Sequence, residues 1–475
     1  MTEILRQEVK FITDSLADEV GRVFLWQGRL LRAVRYDHVD AVNELLASGL
    51  MQTLVAEGLC PGTAMTELQL AGFGLVLEHE RIPVITYPYE WSFSMLKDAA
   101  IVMLRVNQIA RDFGYQTKDG HGYNILFHGS RPVFIDLGSL IKVPAGYTEW
   151  QGYEEFLRFF YYPLKLWSDG NAFLARRVLS GAMQPLMPHE SYLAYRIPLA
   201  RHLNGRLRLR LARLPLLLKR VSSIPKEEVK RLWPGRKGAL LYWLRPLFVI
   251  DRKRSDLFAL MKKVQRMKGE EQQSMWGSYH LQSGLVDESG ALRPSARFKR
   301  IAELIDHFEI KDVIELAGNQ GAFARYLLST TRVQSIVCTD YDANAIDRLY
   351  RALGFDQHAV TPAVLNFMSP ILLAETQPPH QRMKADAVIA LAVTHHLILT
   401  QQFLIDKILS TICQYTEKYL FIEFMPLGLY SGRSEPIIPA WYRLEWFRDA
   451  CLRHFQIVIE EQLEENRILF VGRLN

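Results

Sequence analysis

The sequence predicts an α/β fold, with a doubly wound sheet formed by residues 269–475. Short apolar runs alternate in this region with amphipathic stretches of helical length. Several of the runs end in an acid, an amide or a His. Alternation of strands with helices is typical of an open sheet with helices on its faces. In such a sheet, ligands bind beyond the carboxyl ends of the strands, so the polar residues there become candidate site residues.

The first of these strands runs into a glycine-containing turn at residues 313–326. The strand ends in Glu315, the chain passes Gly318 and Gly321, and an amphipathic helix follows. Glycine lets a backbone approach a ligand closely, and Glu315 can accept a hydrogen bond from a cationic or hydroxylated cofactor. The alternative is a buried turn that uses glycine for its geometry alone.

Four further strands are predicted at residues 335–339, 363–366, 385–393 and 419–424. The second strand of the region leads into Asp340, and a carboxylate at this position can bind both hydroxyls of a ribose. Asn366 ends the third strand, and Glu423 lies near the end of the fifth. The fourth strand is followed by His395 and His396.

These residues resemble the class I S-adenosylmethionine-dependent methyltransferases, and more narrowly the group related to the nodulation protein NoeA. Four motifs carry the resemblance: Glu-Leu-Ala-Gly-Asn-Gln-Gly at 315–321, Thr-Asp-Tyr-Asp at 339–342, Ala-Leu-Ala-Val-Thr-His-His-Leu at 390–397 and Ile-Glu-Phe at 422–424. The resemblance implies a Rossmann-like methyltransferase domain whose sheet is mostly parallel with an antiparallel last strand. Apolar runs at 455–459 and 468–472 fit the expected final hairpin.

The resemblance also implies a cofactor, S-adenosyl-L-methionine, and a set of residues that bind it: Glu315, Ala317, Gly318, Asn319, Gly321, Asp340, Tyr341, Asn366 and Ala392. Glu315 and the turn would hold the methionine portion, Asp340 the ribose and Asn366 the adenine. The family more often has Gly in place of Ala317 and Asp in place of Asn366. An amide can still pair with the adenine amine through its carbonyl oxygen.

Methyl transfer to a hydroxyl needs a base, and His has the unperturbed pKa best suited to neutral pH. His395 and His396 are the candidate catalytic residues, with a structural role as the alternative.

Trp276 and Tyr279 precede the methyltransferase-like region. They are interpreted either as a lid over the site or as an aromatic anchor for a preceding helix. By analogy with nodulation-related proteins, the acceptor is expected to be a saccharide or a glycolipid.

Residues 1–190 contain a second pattern, in which Asp119, Asn124, a predicted hairpin and Asp136 follow one another. This order resembles the protein-kinase and aminoglycoside-phosphotransferase superfamily and implies an α+β domain. Asp119 would be the base, with Asn124 and Asp136 as ligands of magnesium in an ATP site. Thr117 replaces the usual His, and neither a glycine-rich phosphate loop nor a Lys–Glu pair is evident, so the domain is predicted to be degenerate. A plain hairpin with turn-forming residues is the alternative.

Three functions therefore remain open: a methyltransferase, a bifunctional kinase-methyltransferase, and a non-catalytic scaffold with two degenerate enzyme folds.

The first elements of the chain are predicted from local patterns. The opening residues look helical, and residues 22–35 alternate between apolar and polar as a hairpin does.

Residues 191–268 are predicted to form a basic, amphipathic helical connector. Residues 201–266 carry nineteen Lys or Arg against four acids, whereas the whole chain has a net charge of only +6. Such a stretch suits an anionic membrane surface, and a helical connector facing the acidic remainder of the protein is the alternative. Nucleic acid is a weaker hypothesis because no recognised binding module is present.

The composition narrows the class of protein further. Four scattered cysteines favour neither a zinc site nor a disulfide framework, so no metal site is predicted outside the kinase-like pattern. No signal peptide is evident, and no apolar run reaches the ~20 residues that a membrane-spanning helix needs. We therefore expect a cytoplasmic protein, with peripheral membrane attachment through the basic stretch as an open option.

Overall fold

The computed structural model describes residues 2–12, 18–180, 256–269, 294–355, 357–373, 376–429 and 438–474. The chain forms two compact units. The first unit comprises Met1–Val102, Ile125–Ile135 and Gly269–Asn475, and the second comprises Met103–Asn124 and Asp136–Lys268. Both contain strands and helices, which confirms the predicted mixed α/β class. The division at residues 190 and 268 stays a prediction.

The first unit begins with a five-stranded antiparallel sheet in the order β2-β3-β4-β7-β5. Its strands are β2 Lys10–Phe11, β3 Gly21–Trp26, β4 Arg29–Val34, β5 Thr63–Met65 and β7 Leu75–His79. The predicted hairpin at residues 22–35 is confirmed, since β3 pairs with β4. Gln27 and Gly28 form its turn, both with positive φ, as a two-residue hairpin turn of this hand requires.

The expectation that the chain opens with a helix is wrong. Strand β1, Thr2–Ile4, pairs in parallel with β6, Leu68–Leu70. Ile4 is buried in the same apolar cluster as Leu70 and Phe24. Pairing with a strand distant in sequence, together with burial of Ile4, therefore overrides the local helical pattern.

Three helices and a second hairpin complete the N-terminal elements: α1 Val39–Ala47, α2 Leu50–Ala56, α3 Phe93–Asp112, β9 Ile125–His128 and β10 Arg131–Phe134. The hairpin of β9 and β10 was predicted, and its register pairs His128 with Arg131 across the turn.

A seven-stranded sheet dominates the rest of the first unit. Its strands are β12 Asp312–Leu316, β13 Ser335–Asp340, β14 Val360–Val364, β15 Ala385–Ala390, β16 Thr416–Phe424, β17 Gln456–Glu464 and β18 Arg467–Arg473. The order across the sheet is β14-β13-β12-β15-β16-β18-β17. The pairs among the first five positions are parallel, and β18 is antiparallel to both of its neighbours.

Helices connect these strands: α8 Ala296–His307, α9 Ala322–Thr330, α10 Ala343–Leu353, α11 Pro379–Arg382, α12 Ile405–Cys413 and α13 Leu444–Leu452. A π-helical turn, His396–Thr400, follows β15. The core beneath the sheet is aliphatic and aromatic, and Ile314, Val388 and Phe424 are completely buried in it. Burial of such side chains supplies the main stabilisation of a sheet of this size.

Three predicted strands have different limits in the structure. The fifth begins at Thr416, three residues before its predicted start. The third strand begins at Val360 and contains Pro362, which lacks an N–H for pairing. Proline is tolerated here because β14 lies at the edge of the sheet. Asn366 consequently lies two residues beyond the strand. The fourth strand stops at Ala390 because Ala392, with φ of 50°, turns the chain.

The described part of the second unit contains the strand pair β8 Tyr115–Thr117 and β11 Leu140–Lys142, and four helices: α4 Tyr153–Phe156, α5 Tyr162–Ser168, α6 Ala172–Leu179 and α7 Leu257–Gln265. A π-helical turn, Leu157–Tyr161, separates α4 from α5. Most of the predicted connector and basic stretch lies outside the described residues, as do Trp276 and Tyr279. Within the described ranges, no helix combines the length and the apolar character needed to cross a membrane.

Candidate functional site

The glycine turn, residues 317–321, joins β12 to α9 at the carboxyl edge of the parallel strands. Ala317, Asn319 and Gly321 have φ values of 57°, 53° and 64°. A left-handed conformation is easy for Gly and tolerable for Asn, whereas it costs an Ala about 1–2 kcal/mol. The turn is therefore held in a conformation that its own sequence does not wholly favour.

Gly318 needs the absence of a side chain. Its N–H donates a hydrogen bond of 2.8 Å to the carbonyl oxygen of Thr339 on the neighbouring strand. A Cβ at this position would lie 2.7 Å from Sγ of Cys338 and 2.8 Å from Oε2 of Glu315. Only glycine lets the turn lie so close to β13.

Glu315 lies directly beneath this turn and is buried. Its carboxylate accepts a hydrogen bond of 3.5 Å from Sγ of Cys338 and another from the backbone N–H of Ala324 in the first turn of α9. Burial raises the pKa of Glu315 to about 8, and the negative charge of Asp340 adds to the rise. A cation placed above the turn would favour the ionised form.

Asp340 ends β13 and connects the turn to the next strand. Its Oδ2 accepts the N–H of Asn319 at 2.9 Å, and its Oδ1 accepts the N–H of Asp342 at 2.8 Å. Burial raises the pKa of Asp340 to about 6, against the lowering effect of these hydrogen bonds. Tyr341 is the next residue in the sequence, and it is 55% exposed.

Asn366 is exposed and belongs to a local turn. Its Oδ1 accepts hydrogen bonds of 3.2 Å from the N–H groups of both Met368 and Ser369. A ligand amine that pairs with this oxygen must therefore share it with the turn. The backbone of Leu365 is nevertheless fixed to the site, since its N–H donates to the carbonyl oxygen of Asp340 at 2.8 Å.

A buried ion-pair cluster, consisting of Arg297, Glu423 and Arg467, supports Ala392 at the end of β15. Nη1 of Arg297 lies 2.8 Å from Oε1 of Glu423, and Nη1 of Arg467 lies 3.1 Å from Oε2. The N–H of Ala392 donates to the same Oε2 at 2.9 Å. Glu423 is completely buried, so its charge requires these partners.

The sequence motifs indicated Glu423 but missed both arginines. Arg297 shares one face of α8 with the buried Ile301 and Ile305. A basic residue on the apolar face of an amphipathic helix is the signal that could have identified it.

His395 and His396 follow Ala392 closely, and their ring centroids lie 4.1 Å apart. His395 is only 4% exposed, and its Nδ1 has no hydrogen-bond partner among the residues that the structure describes. Burial lowers the pKa of His395 to about 3, with smaller contributions from His396 and Arg467. Burial also lowers the pKa of the more exposed His396. Both side chains are therefore neutral at pH 7, and the large shift makes His395 a weak base.

The kinase-like residues lie in the second unit. The N–H of Asp119 donates to Oγ of Ser139 at 3.1 Å, and this hydroxyl lies 3.4 Å from Oδ2 of Asp119. Asn124 ends a buried 3₁₀ turn, Gly122–Asn124, and Asp136 precedes another, Leu137–Ser139. Across the described parts of the chain, no group of three or more His, Cys, Asp or Glu side chains could hold a metal ion.

Comparison with known proteins links the chain to a nodulation protein. No family model matches the sequence. The nodulation protein NoeA of Rhizobium meliloti strain 1021 is 27% identical over 445 residues, which cover 87% of this chain and 85% of that protein.

Solved structures match with low TM-scores. The structure of WbdD with a kinase inhibitor is 17% identical, with a TM-score of 0.29, over 39% of this chain and 42% of that chain. The N-methyltransferase NodS from Bradyrhizobium japonicum WM9 is 13% identical, with a TM-score of 0.28, over 38% of this chain and 97% of that chain. The relationship to NoeA, in contrast, extends over most of both proteins. The chain is thus similar to the nodulation protein NoeA along most of its length, which confirms the resemblance predicted from the motifs.

Proposed function

We propose that the protein is a methyltransferase that binds S-adenosyl-L-methionine at the carboxyl edge of β12, β13, β14 and β15. The observation that carries the proposal is Asp340, whose two carboxylate oxygens fix the glycine turn and the start of α10. The strand order, with its crossover between β12 and β15 and an antiparallel β18, supports a Rossmann-like methyltransferase sheet.

Each residue of the edge has a role in this proposal. Asp340 accepts hydrogen bonds from the ribose hydroxyls, because a carboxylate at the tip of the second strand suits a diol. Glu315, which burial keeps protonated at pH 7 in the free protein, becomes ionised beneath the turn when the cationic sulfonium and ammonium groups of the donor bind. Asn366 pairs with the adenine amine. Tyr341 and Ala392 line the same edge on either side.

The acceptor in the proposal is a hydroxyl on a saccharide or a glycolipid. Its support is the similarity to a protein named for nodulation, together with two neutral histidines beside the edge. Holding donor and acceptor in line contributes much of the rate of such a transfer, and a neutral His can remove the hydroxyl proton.

A calorimetric titration of the full-length protein with S-adenosyl-L-methionine tests the donor site. We expect micromolar, one-to-one binding, with S-adenosyl-L-homocysteine competing for the same site. Transfer of a labelled methyl group to a panel of mono- and oligosaccharides then tests the acceptor. Folded protein that binds neither nucleoside would contradict the proposal and favour a non-catalytic scaffold.

A kinase-like activity is a second candidate, supported by the order Asp119, Asn124, hairpin and Asp136. A parallel titration with ATP and magnesium tests it. Binding that disappears in Asp136→Asn but persists in Asp169→Asn, which changes an acid paired with Lys165 elsewhere in the second unit, would favour the bifunctional enzyme. Absence of ATP binding would leave the methyltransferase alone.

A further inference from the structure

Helix α10 supports the candidate donor site from below. Its N-cap is Asp342, whose Oδ1 accepts the N–H of Asn344 at 2.9 Å and whose own N–H donates to Asp340. Farther along the helix, Leu349 lies under the glycine turn: a Cβ on Gly321 would come within 2.7 Å of its Cδ1. The position of α10 thus controls both the carboxylate and the turn.

The start of α3 contacts this helix through a carboxylate. Asp347, on α10, accepts the N–H of Ser94 at 2.7 Å with Oδ1 and the hydroxyl of Ser94 at 3.1 Å with Oδ2. The first N–H groups of any helix lack partners within it, and an anion is favoured there. Asp347 therefore accepts a backbone N–H in the first turn of α3, and the same hydrogen bonds hold α10 against α3.

One turn farther along, α3 contacts α10 again. The hydroxyl of Tyr350 donates a hydrogen bond of 2.9 Å to Oδ2 of Asp98. The ring of Tyr350 is buried and meets Phe127 of β9 edge to face, with 5.9 Å between ring centroids. Such aromatic pairs contribute specific geometry in addition to burial.

The hairpin of β9 and β10 holds the far end of α10. The hydroxyl of Ser130 donates to the carbonyl oxygen of Gly354, the residue after the helix, and the N–H of Ser130 donates to the carbonyl oxygen of Gln357 at 2.9 Å. The helix is consequently anchored at its middle by two side chains of α3 and at its end by the hairpin.

We propose that Ser94, Asp98 and Ser130 are positioning residues for donor binding, acting through α10 on the glycine turn and Asp340. The N-terminal residues of the first unit are then part of the donor-binding machinery of the C-terminal sheet. Packed interiors transmit small displacements because they contain little free volume. A shift of α10 moves Asp342 away from Asp340 and Leu349 away from Gly321. The effect on donor affinity rests on the proposed function, whereas the mechanical coupling does not.

The test compares two Tyr→Phe variants that each remove one hydroxyl. Tyr350→Phe breaks the bond to Asp98. Tyr89→Phe is the matched control, because Tyr89 also belongs to the N-terminal part of the first unit and its hydroxyl donates to Oγ1 of Thr376 at 3.2 Å, away from α10. We expect Tyr350→Phe to weaken binding of S-adenosyl-L-methionine about tenfold, the loss typical of a hydrogen bond to a charged group. Tyr89→Phe should stay within about twofold of the wild type, because the hydrogen bond that it removes joins Tyr89 to Thr376 and not to α10.

A conservative pair on the opposite helix separates positioning from general destabilisation. Asp98→Ala should weaken donor binding as Tyr350→Phe does, and Asp98→Asn should restore it, because an amide oxygen still accepts the tyrosine hydroxyl. Urea unfolding of each variant records the loss of stability. If Tyr350→Phe and Tyr89→Phe weaken donor binding equally, the loss is one of general stability and the proposal is overturned.

Amide hydrogen exchange without any ligand keeps the proposal testable if no donor binds. Tyr350→Phe should raise exchange severalfold at residues 317–324 and 340–344, and Tyr89→Phe should not. Faster exchange there in a protein that fails to bind the donor would refute the proposed function and leave the coupling intact. Wild-type donor binding with unchanged exchange and affinity in Tyr350→Phe would refute the coupling alone.

Discussion

The backbone N–H of Asn319 donates a hydrogen bond of 2.9 Å to Oδ2 of Asp340, which joins the glycine turn to the tip of the neighbouring strand. The other oxygen of the same carboxylate holds the N–H of Asp342, at the start of α10. One side chain therefore organises three backbone segments at the carboxyl edge of the sheet. The backbone N–H of Tyr341 also donates to this carboxylate, which still has capacity to accept a ligand hydroxyl.

Replacing Asp340 should weaken donor binding more than it lowers the free energy of unfolding. In Asp340→Asn, one of the two oxygens becomes an NH₂ group. That group faces a backbone N–H donor and cannot accept its hydrogen bond. We expect affinity for S-adenosyl-L-methionine to fall about 10- to 100-fold, measured by calorimetry, since hydrogen bonds to charged groups contribute about 1.5–3 kcal/mol each. The control Asp386→Asn changes an acid at the opposite end of β15, where it pairs with Lys418. Equal affinities in the two variants would remove Asp340 from the site.

Donor binding should depend on pH through Glu315. Because burial raises the pKa of Glu315 to about 8, the free protein holds a proton there at pH 7. A cationic donor favours the ionised form, so affinity should rise from pH 6 to pH 9, and binding at pH 7 should release a proton. Titrations in buffers of different ionisation enthalpy measure that release. Glu315→Gln should abolish the proton release and the rise in affinity above pH 7, whereas Asp340, with a pKa of about 6, can still contribute below pH 7. A wild-type affinity independent of pH would contradict the assignment.

The raised pKa of Glu315 also predicts how the free energy of unfolding depends on pH. An unfolded Glu loses its proton near pH 4.3, whereas Glu315 in the folded protein loses it near pH 8. Between these values the folded state holds more protons, so the free energy of unfolding falls as the pH rises. Urea unfolding from pH 5 to pH 8 should show a steeper fall in the wild type than in Glu315→Gln. Identical slopes would mean that Glu315 titrates normally.

Local sequence patterns predicted the elements of this edge well. The strand, turn and helix around Gly318 and the acid at the tip of β13 depend on residues close in sequence. The same is true of the hairpin with Gln27 and Gly28 in the N-terminal sheet. Hydrophobic periodicity and turn chemistry act over that range. The misplaced start of β14 has a local cause too, since Pro362 is acceptable only at a sheet edge, which a sequence pattern does not reveal.

Contacts between distant residues could not be predicted in the same way. Arg297, Glu423 and Arg467 meet only because the sheet brings α8, β16 and β18 together. The anchoring of α10 by Ser94 and Ser130 likewise depends on tertiary packing. A motif marks Glu423 and the helical period marks Arg297, but a single sequence contains no local signal for which residues pair.

The two neighbouring histidines should separate by function. His396 begins the π-helical turn and is the more accessible, so His396→Ala should lower methyl transfer to a saccharide acceptor at least 100-fold, the lower range for loss of a general base. His395→Ala should mainly lower stability, by about 1–3 kcal/mol, because it removes a buried side chain. The exposed His307 at the end of α8 is a control site, where Ala should change neither. If neither His395→Ala nor His396→Ala slows transfer, the base lies elsewhere.

The buried cluster around Glu423 should dominate the stability of the C-terminal sheet. Glu423→Gln leaves Arg297 and Arg467 with only the more exposed Glu464 as a counter-charge. Breaking a buried ion pair typically costs about 3–5 kcal/mol. The half-exposed pair Arg300–Glu461, joined at 3.0 Å, provides the control, since Glu461→Gln should cost less than about 1 kcal/mol.

Urea unfolding of the two variants measures the difference, and donor titration adds a second measurement. Because Glu423 also accepts the N–H of Ala392, whose φ of 50° turns the chain towards His395, Glu423→Gln should weaken donor binding even at temperatures where it stays folded. Glu461→Gln should leave donor binding unchanged. A Glu423→Gln variant as stable as Glu461→Gln would show that the cluster is compensated by groups other than its own charges.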